Sequence, residues 1–200
     1  MKYIIMADGK GTRWNNYNNV PKHLIDVDGE VLIMRTIRLL NQYDPHSEVI
    51  VTSHDERYNF PGSVRYEPLD NNLEIDRFTY ELIEDDICFL YGDTYYTEES
   101  ISKIIDSKTD DLLFFGNDVS IVAIKVKDSN LFKKHIDNVK QLFLNNKINN
   151  CKGWQVYQSF QNLEFDKKQI AGNFVVVDNR TIDYNTPDEY EKSKSRRKDV

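Results

Sequence analysis

The 200-residue sequence has only two cysteines, no long apolar run and no excess of basic residues. Two cysteines, Cys88 and Cys151, cannot build the disulfide framework that is typical of small secreted domains. No run approaches the length of about 18 apolar residues that a transmembrane helix needs, and the first residues lack the apolar core of a signal peptide. We therefore expect a cytoplasmic protein that does not bind a membrane.

The net charge of the chain limits the kinds of molecule that it is expected to bind. The chain carries 33 acidic and 26 basic residues, a formal net charge of −7. A general nucleic-acid-binding protein needs a positive field to neutralise phosphates, so this balance argues against nucleic acid as a partner. Local cations can still hold one small anionic ligand. The length fits one domain, residues 1–200, with a core of ordinary size.

Apolar runs alternate with helical stripes along the chain. The pattern predicts strands at 3–7, 48–53, 63–67, 87–91, 112–115, 121–126 and 174–177, and helices at 33–43, 71–84, 97–105, 129–149 and from Gly153 onward. Strands that alternate with helices over a short chain indicate an α/β three-layer domain with a mostly parallel central sheet.

A glycine-containing loop, Ala7-Asp8-Gly9-Lys10-Gly11-Thr12, directly follows the first predicted strand. Glycine lets the backbone approach a ligand closely and point its N–H groups at phosphate oxygens. Lys10, Arg13 and Lys22 would supply countercharge. An ordinary surface turn with solvated cations is the alternative, because a G-x-G pattern alone is weak. The position after the first strand, with Pro21-Lys22 soon after, favours phosphate binding.

Asp93 ends the predicted central strand 87–91 and is the first candidate metal ligand. In open α/β sheets, ligands bind outside the carboxyl ends of the strands, so Asp93 should face the same crevice as the glycine loop. Mg²⁺ is commonly bound by one or two carboxylates together with substrate phosphates. The alternative is a plain turn aspartate at a strand end.

Several motifs together resemble the nucleotidyltransferases that make nucleotide sugars and CDP-choline-type compounds, a superfamily that includes MobA-like enzymes. The resemblance rests on Gly9-x-Gly11-Thr12-Arg13, on Pro21-Lys22, on the segments 24–33 and 71–93, and on Ile182-Asp183-Tyr184-Asn185-Thr186-Pro187-Asp188. It implies a Rossmann-like, GT-A-like α/β/α domain. It also implies transfer of NMP from an NTP, with CTP favoured as the donor, to a small phosphorylated acceptor such as a sugar phosphate or a phosphocholine-like compound.

The resemblance also implies roles for individual residues. Arg13 would bind the leaving pyrophosphate, and Lys22 would neutralise the α-phosphate. Mg²⁺, with Mn²⁺ as a substitute, would be held by Asp93 together with Asn185 or Asp183. The nucleotide-binding set would be Ala7, Asp8, Gly9, Lys10, Gly11, Thr12 and Asn72.

Two positions depart from the family pattern. Asp8 stands where the family usually has a small residue, and Asn185 stands where an acid is common. These departures keep open a nucleotide-binding relative without catalysis. The segment Asn185-Thr186-Pro187 is also similar to a guanylyltransferase of the molybdenum-cofactor type, which is a second alternative. The segment Thr186-Pro187-Asp188 also makes sense as a helix start, because threonine is a good N-cap and proline a good first helical residue. A homodimer is left open as a further partner.

Overall fold

The computed structural model describes the backbone of residues 1–165, 167 and 169–198, and it describes the side chains of these residues as far as Lys194. Within this part of the chain the α-helices are α1 Leu32–Tyr43, α2 Glu98–Asp106, α3 Ser129–Leu144, α4 Gly153–Gln161 and α5 Pro187–Lys198. The strands are β1 Lys2–Met6, β2 Asp26–Val27, β3 Glu30–Val31, β4 Glu48–Thr52, β5 Val64–Tyr66, β6 Ile87–Tyr91, β7 Thr94–Tyr95, β8 Leu112–Gly116, β9 Ile121–Val126, β10 Phe174–Val176 and β11 Ile182–Asp183.

A seven-stranded sheet forms the centre of the molecule, in the order β10-β8-β9-β6-β1-β4-β5. All neighbours pair in parallel except β9, which runs antiparallel to both β6 and β8. The reversal follows from the short connection between β8 and β9, because parallel strands need a long crossover and a tight turn allows only antiparallel pairing. The predicted α/β domain with a mostly parallel sheet is confirmed.

Two apolar clusters cover the two faces of this sheet. One contains Phe132 of α3 and Val156 of α4, and the other contains Ile37 of α1 and Ile101 of α2. β1 contributes to both clusters, because successive side chains of a strand point to opposite faces. Helices therefore pack on both sides of a sheet whose central strands are fully buried, as in the predicted three-layer architecture.

The predicted helix over 71–84 is wrong. The structure has two short 3-10 helices instead, Glu74–Phe78 and Tyr80–Leu82, separated by Thr79 with φ of 44°. The carboxylate of Asp76 accepts hydrogen bonds from the backbone N–H groups of Asn72 and Leu73. Such local side-chain bonds offer the backbone an alternative to the α-helix.

The short strands β2, β3, β7 and β11 were not predicted from the sequence, and the remaining differences are shifts of element ends. The helix predicted over 129–149 ends at Leu144, because Asn146 adopts a left-handed backbone with φ of 53° just beyond it. The predicted strands 63–67 and 174–177 are one or two residues shorter in the structure. Within the described residues, no helix has the length and apolar character needed to cross a membrane.

Candidate functional site

The carboxyl ends of three central strands meet at one edge of the sheet. The N–H of Ala7, after β1, donates to the carbonyl of Thr52 in β4 at 3.1 Å, and the N–H of Gly92, after β6, donates to the carbonyl of Met6 at 3.0 Å. A Cβ at Gly92 would lie 2.8 Å from the oxygen of Met6, so only glycine allows this close approach. The loops that follow β1, β4 and β6 are thereby fixed side by side.

The glycine loop is held in shape at its far end. Gly11 has a φ of 58°, which favours glycine, and its carbonyl accepts a hydrogen bond from the N–H of Trp14 at 2.9 Å. The indole of Trp14 is buried and donates to the carbonyl of Val20 at 2.8 Å. The loop therefore enters the 3-10 turn Thr12–Trp14 in a defined conformation, which suits a backbone that must present its N–H groups to a ligand.

A cavity of about 490 Å³ lies against this loop. Its walls come from the glycine loop, from the segment around Lys22 and from the loop after β4: Ala7, Asp8, Gly9, Lys10, Gly11, Trp14, Asn16, Pro21, Lys22, His23, Ser53, His54, Asp55, Tyr58 and Asn71. The predicted nucleotide-binding residues from Ala7 to Gly11 all line it. Thr12 and Asn72 are outside this lining, and the neighbouring Asn71 takes part instead.

Asp8 does not point an unpaired charge at this cavity. Its Oδ1 accepts the backbone N–H of His54 at 3.0 Å, and its Oδ2 contacts His54 Nδ1 at 2.9 Å and accepts Asn71 Nδ2 at 2.7 Å. Asn71 Nδ2 also donates to the backbone carbonyl of Asp8 at 2.7 Å. The carboxylate is thus used to join the glycine loop to the loops after β4 and β5.

Lys22 and Asp93 form a buried ion pair. Lys22 lies in the 3-10 turn Lys22–Leu24, Asp93 follows β6, and the ammonium group contacts Oδ2 of the carboxylate directly. Burial by itself would raise the pKa of Asp93, but the positive charges of Lys22 and Arg77 outweigh it and hold that pKa below the usual range. Asp93 is therefore ionised at neutral pH although its side chain is buried.

His23 is a packed and neutral side chain. It is buried, and its Nδ1 lies 2.9 Å from the hydroxyl of Tyr58. Burial, together with the neighbouring charge of Lys22, lowers the pKa of His23 to about 3. The imidazole carries no charge at neutral pH and so adds none to the site.

The C-terminal segment brings the other two candidate metal ligands beside Asp93. β11 pairs antiparallel with β7, which places Asp183 opposite Thr94, and the N–H of Tyr184 donates to the carbonyl of Asp93 at 2.8 Å. Asn185 Nδ2 donates to Asp183 Oδ2 at 2.5 Å. Asp93 and the distant pair Asp183 and Asn185 therefore lie together at one edge of the sheet.

Asn185 also connects this group to the glycine loop. Its Oδ1 accepts a hydrogen bond from Arg13 Nη2 at 2.6 Å. Its backbone position is fixed from the other side, because Glu189 Oε2 accepts the N–H groups of Asn185 and Thr186, and the N–H of Glu189 donates to Thr186 Oγ1. This capping box starts α5, so the segment 185–189 both begins a helix and positions a site residue.

Arg77 is a further cation beside the glycine loop, at a position for which the sequence left open a contact with ligand or with solvent alone. A Cβ added to Gly9 would lie 3.5 Å from Arg77 Cζ, so the guanidinium covers the glycine loop. The helical pattern predicted over 71–84 placed Arg77 only on the side of the helix opposite Ile75 and Phe78. The irregular backbone around Thr79 sets its position, and no sequence pattern indicates that backbone.

The donor set fits a hard divalent cation. Asp93 and Asp183 offer carboxylate oxygens and Asn185 an amide oxygen, which are the ligand types that Mg²⁺ prefers. No group of three or more histidines, cysteines, aspartates or glutamates among the described residues is arranged to hold a metal ion. These three side chains are oxygen donors, and among the described residues they do not form a complete protein cage.

A larger cavity of about 750 Å³ adjoins Asp183. It is lined mainly by polar residues from β7, the β8–β9 turn and α5: Asp28, Tyr95, Thr97, Asn117, Asp118, Val119, Ser120, Asn179, Arg180, Ile182, Asp183, Glu189, Lys192 and Ser193. Ser120 Oγ donates to Asp183 Oδ1 at 3.2 Å. One candidate metal ligand thus belongs to this cavity, while Lys22 belongs to the smaller one.

Comparison with known proteins shows similarity in structure and not in sequence. No protein-family model and no curated protein sequence matches the chain. A Bacillus anthracis protein assigned as a glucose-1-phosphate thymidylyltransferase superposes with a TM-score of 0.68 at 14% identity, covering 100% of this chain and 96% of the other.

Two cytidylyltransferases are also similar in structure to this chain, with slightly lower TM-scores. The CTP:phosphocholine cytidylyltransferase of Streptococcus pneumoniae gives a TM-score of 0.59 at 15% identity and the 2-C-methyl-D-erythritol 4-phosphate cytidylyltransferase of Thermus thermophilus gives 0.60 at 10%, each covering 97% of both chains. The chain therefore has the fold that these nucleotidyltransferases share, as the motif resemblance predicted.

Proposed function

We propose that this chain is a nucleotidyltransferase that transfers NMP from an NTP to a small phosphorylated acceptor and releases pyrophosphate. The observation that carries the proposal is the meeting of the glycine loop, Lys22 and Asp93 at the carboxyl edge of the sheet, in a fold shared with enzymes of this class. Each of the three comes from a different part of the sequence.

Nucleotidyl transfer requires mainly that the two substrates are positioned and that the charge on their phosphates is neutralised. An oxygen of the acceptor phosphate attacks the α-phosphorus, the bond from that phosphorus to the α,β-bridging oxygen breaks, and pyrophosphate leaves. The attacking oxygen is already anionic at neutral pH, so the reaction needs no general base. Preorganised cations and N–H groups account for most of the catalysis in reactions of this kind.

The position of each residue in the site indicates which phosphate group it would bind or neutralise. The N–H groups of the glycine loop from Gly9 to Thr12 would hold the triphosphate, and Arg13 would neutralise the leaving pyrophosphate. Lys22, at the wall of the smaller cavity, would neutralise the α-phosphate. Arg77, which covers Gly9, is a further cation for the phosphates.

Mg²⁺, or Mn²⁺ in its place, would be held by Asp93 with Asp183 or Asn185. When bound, it would neutralise charge on the phosphates of nucleotide and acceptor. In the proposal the nucleotide occupies the smaller cavity and the acceptor the larger one, and Asp183 lies between them because it lines the larger cavity beside Asp93.

CTP is the donor that we favour, and a sugar phosphate or a phosphocholine-like compound is the acceptor class. The test is mass spectrometry on reactions with Mg²⁺, each of several NTPs and a panel of phosphorylated sugars and amino alcohols, beside an assay for released pyrophosphate. The proposal predicts a new NMP-linked product with pyrophosphate in equal amount. A nucleotide that binds tightly without product would favour a non-catalytic binding protein. A parallel reaction with GTP and molybdenum cofactor as the acceptor tests the guanylyltransferase class, which a product there would favour.

A further inference from the structure

The chain after β5 contacts the glycine loop at two points. Asn71 Nδ2 lies 2.7 Å from both the carbonyl oxygen and Oδ2 of Asp8. Six residues later, the guanidinium of Arg77 lies beside Gly9, where an added Cβ would be 3.5 Å from Cζ. Arg77 Nη2 also lies 3.4 Å from Oε1 of the exposed Glu74, but solvent screens this pair, so it holds the guanidinium only weakly. The position of this cation therefore depends on the backbone that carries it.

A buried carboxylate holds the backbone of segment 71–77. Asp76 Oδ2 accepts the N–H groups of Asn72 at 3.0 Å and of Leu73 at 2.7 Å. Its Oδ1 lies 2.7 Å from Lys140 Nζ, in α3. Burial by itself would raise the pKa of Asp76, but the hydrogen bonds from Lys140 and from the backbone outweigh it and keep that pKa below its usual value. The carboxylate is therefore ionised at neutral pH, and Lys140 supplies its countercharge.

One face of α3 contacts the chain on both sides of Arg77. Beyond the segment, the hydroxyl of Tyr80 donates to Asp137 Oδ2 at 3.1 Å. The Tyr80 ring centre lies 5.3 Å from Lys133 Nζ and 5.9 Å from Lys140 Nζ. These three α3 residues are four and three positions apart, so they share one side of the helix. Lys140 is the member of this face that also reaches Asp76.

Apolar packing alone does not set the direction of Arg77. Phe78 packs edge-on against Phe132 of α3, with 5.2 Å between the ring centres, and Ile75 is buried in the same cluster. Such contacts keep the segment on the sheet, but they are non-directional, whereas the bonds to the Asp76 carboxylate have a defined geometry. A buried carboxylate that loses its counterion is costly, so the turn around Asp76 should shift when Lys140 is removed.

We propose that Lys140 is a positioning residue for the phosphates of the nucleotide, because its ion pair with Asp76 holds segment 71–77 so that Arg77 lies over the glycine loop. This inference rests on the proposed function and adds to it a residue on another helix on which phosphate binding depends. Lys140 lies outside the lining of the smaller cavity and acts through Arg77. Its loss would move a phosphate-binding cation without removing one.

The test measures the affinity for inorganic tripolyphosphate by isothermal titration calorimetry, below the melting temperature of each variant. Lys140→Met should weaken binding roughly 3- to 10-fold, less than the loss of a whole charge-assisted contact. Lys140→Arg keeps a cation for Asp76 and should stay within about twofold of the wild type. Lys134→Met is the matched control, since it removes the same charge from an exposed position of the same helix, and it should also stay within about twofold.

A double-variant cycle separates positioning from a general effect on the fold. Arg77→Met should weaken tripolyphosphate roughly 10- to 100-fold. Because Lys140 acts through Arg77 in this proposal, adding Lys140→Met to Arg77→Met should weaken binding by less than about twofold more. A merely structural role would lower the melting temperature and leave the affinity of the folded chain unchanged. Lys140→Gln removes the charge but keeps an N–H donor, and it takes the place of Lys140→Met in the cycle if that variant does not fold.

Each outcome supports or overturns the proposal. A Lys140→Met chain that binds tripolyphosphate as tightly as Lys134→Met would overturn this inference and leave the proposed function standing. An equal loss with and without Arg77 would overturn it as well, since Lys140 would then act on the site by another route. If neither tripolyphosphate nor any NTP binds to the wild type, the proposed function fails and this inference fails with it.

Discussion

The ammonium group of Lys22 lies directly against the carboxylate of Asp93, 71 positions further along the chain, and both side chains are buried. Lys22 is the residue proposed for the α-phosphate, and Asp93 is the residue proposed for the metal. Arg13 and Asn185 repeat the arrangement, because the guanidinium of the proposed pyrophosphate ligand donates to the amide oxygen of a candidate metal ligand. Two cations proposed for the phosphates thus contact two residues proposed for the metal.

The first prediction concerns the stability of this pair. Lys22→Met should lower the free energy of unfolding by about 3–5 kcal/mol, because it leaves the buried carboxylate of Asp93 without its partner. The double variant Lys22→Met with Asp93→Asn should lose clearly less than the sum of the two single changes. Urea unfolding followed by circular dichroism measures all three.

Lys147→Met is the matched control, since this exposed lysine lies beyond the C-terminal end of α3. It should change the free energy of unfolding by less than about 0.5 kcal/mol. A single Lys22 variant as stable as this control would show that the pair makes no contribution.

The second prediction concerns turnover. Lys22→Gln should reduce kcat for NMP transfer by roughly 10²–10³-fold, the usual effect of losing one preorganised electrostatic contact in a transition state. The assay should be run below the melting temperature of the variant, so that loss of fold does not contribute. A reduction of less than about threefold would remove Lys22 from the catalytic role.

The third prediction is that nucleotide and metal bind cooperatively. A triphosphate would attract Lys22 and Arg13, and their movement toward the phosphates would free Asp93 and Asn185 for a cation. Mn²⁺ binding, followed by electron paramagnetic resonance, should therefore be weak for the chain alone and stronger with a non-hydrolysable NTP analogue, after correction for Mn²⁺ bound by the free analogue.

Two variants test the cause of this coupling. Lys22→Gln should increase the affinity for Mn²⁺ in the absence of nucleotide, since Asp93 no longer has a competing cation. Asp93→Asn should weaken Mn²⁺ binding with the analogue present. The same Mn²⁺ affinity with and without the analogue would contradict the coupling.

The fourth prediction concerns acid stability. The pKa of His23 is lowered to about 3 in the folded chain from an ordinary value of 6.5. Between these two pH values the unfolded chain binds a proton at this histidine and the folded chain does not. Stability therefore rises with pH across this window and is lost as the pH falls, by about 1.4 kcal/mol per pH unit for one full proton.

His23→Asn keeps a polar partner for Tyr58 and removes the titrating ring. Its free energy of unfolding should therefore depend less steeply on pH between about 6 and 4 than that of the wild type, by about 1.4 kcal/mol per pH unit. Equal slopes for the two chains, from urea unfolding at a series of pH values, would mean that His23 titrates normally in the folded state.

Most of the fold could be predicted from the sequence because the central strands are nearly continuous apolar runs. The run from Ile87 to Tyr91 is apolar throughout, as expected of a strand buried on both faces. β1 and β4 are apolar except at their ends, which carry Lys2, Glu48 and Thr52. The glycine loop and Asp93 could be placed at one edge from topology alone, since parallel strands end on the same side.

The parts that the sequence did not predict depend on contacts between distant residues. The helix expected over 71–84 does not form because Asp76 binds the backbone of its own segment. That irregular backbone brings Arg77 over Gly9 and Asn71 to Asp8, and no periodic pattern indicates either contact. No sequence pattern accounts for a carboxylate at position 8. The structure shows that His54 and Asn71 contact the Asp8 side chain.

Labelled nucleotides test most directly whether this edge of the sheet transfers a nucleotidyl group. Reactions would contain the best acceptor of the panel with NTP carrying ³²P either at the α- or at the γ-phosphate, and the products would be separated by thin-layer chromatography. We expect the α-label to move to the acceptor product and the γ-label to pyrophosphate, with both transfers reduced in Lys22→Gln. Transfer of the γ-label to the acceptor, or its release as inorganic phosphate, would contradict it, since the chain would then cleave the nucleotide at the wrong bond.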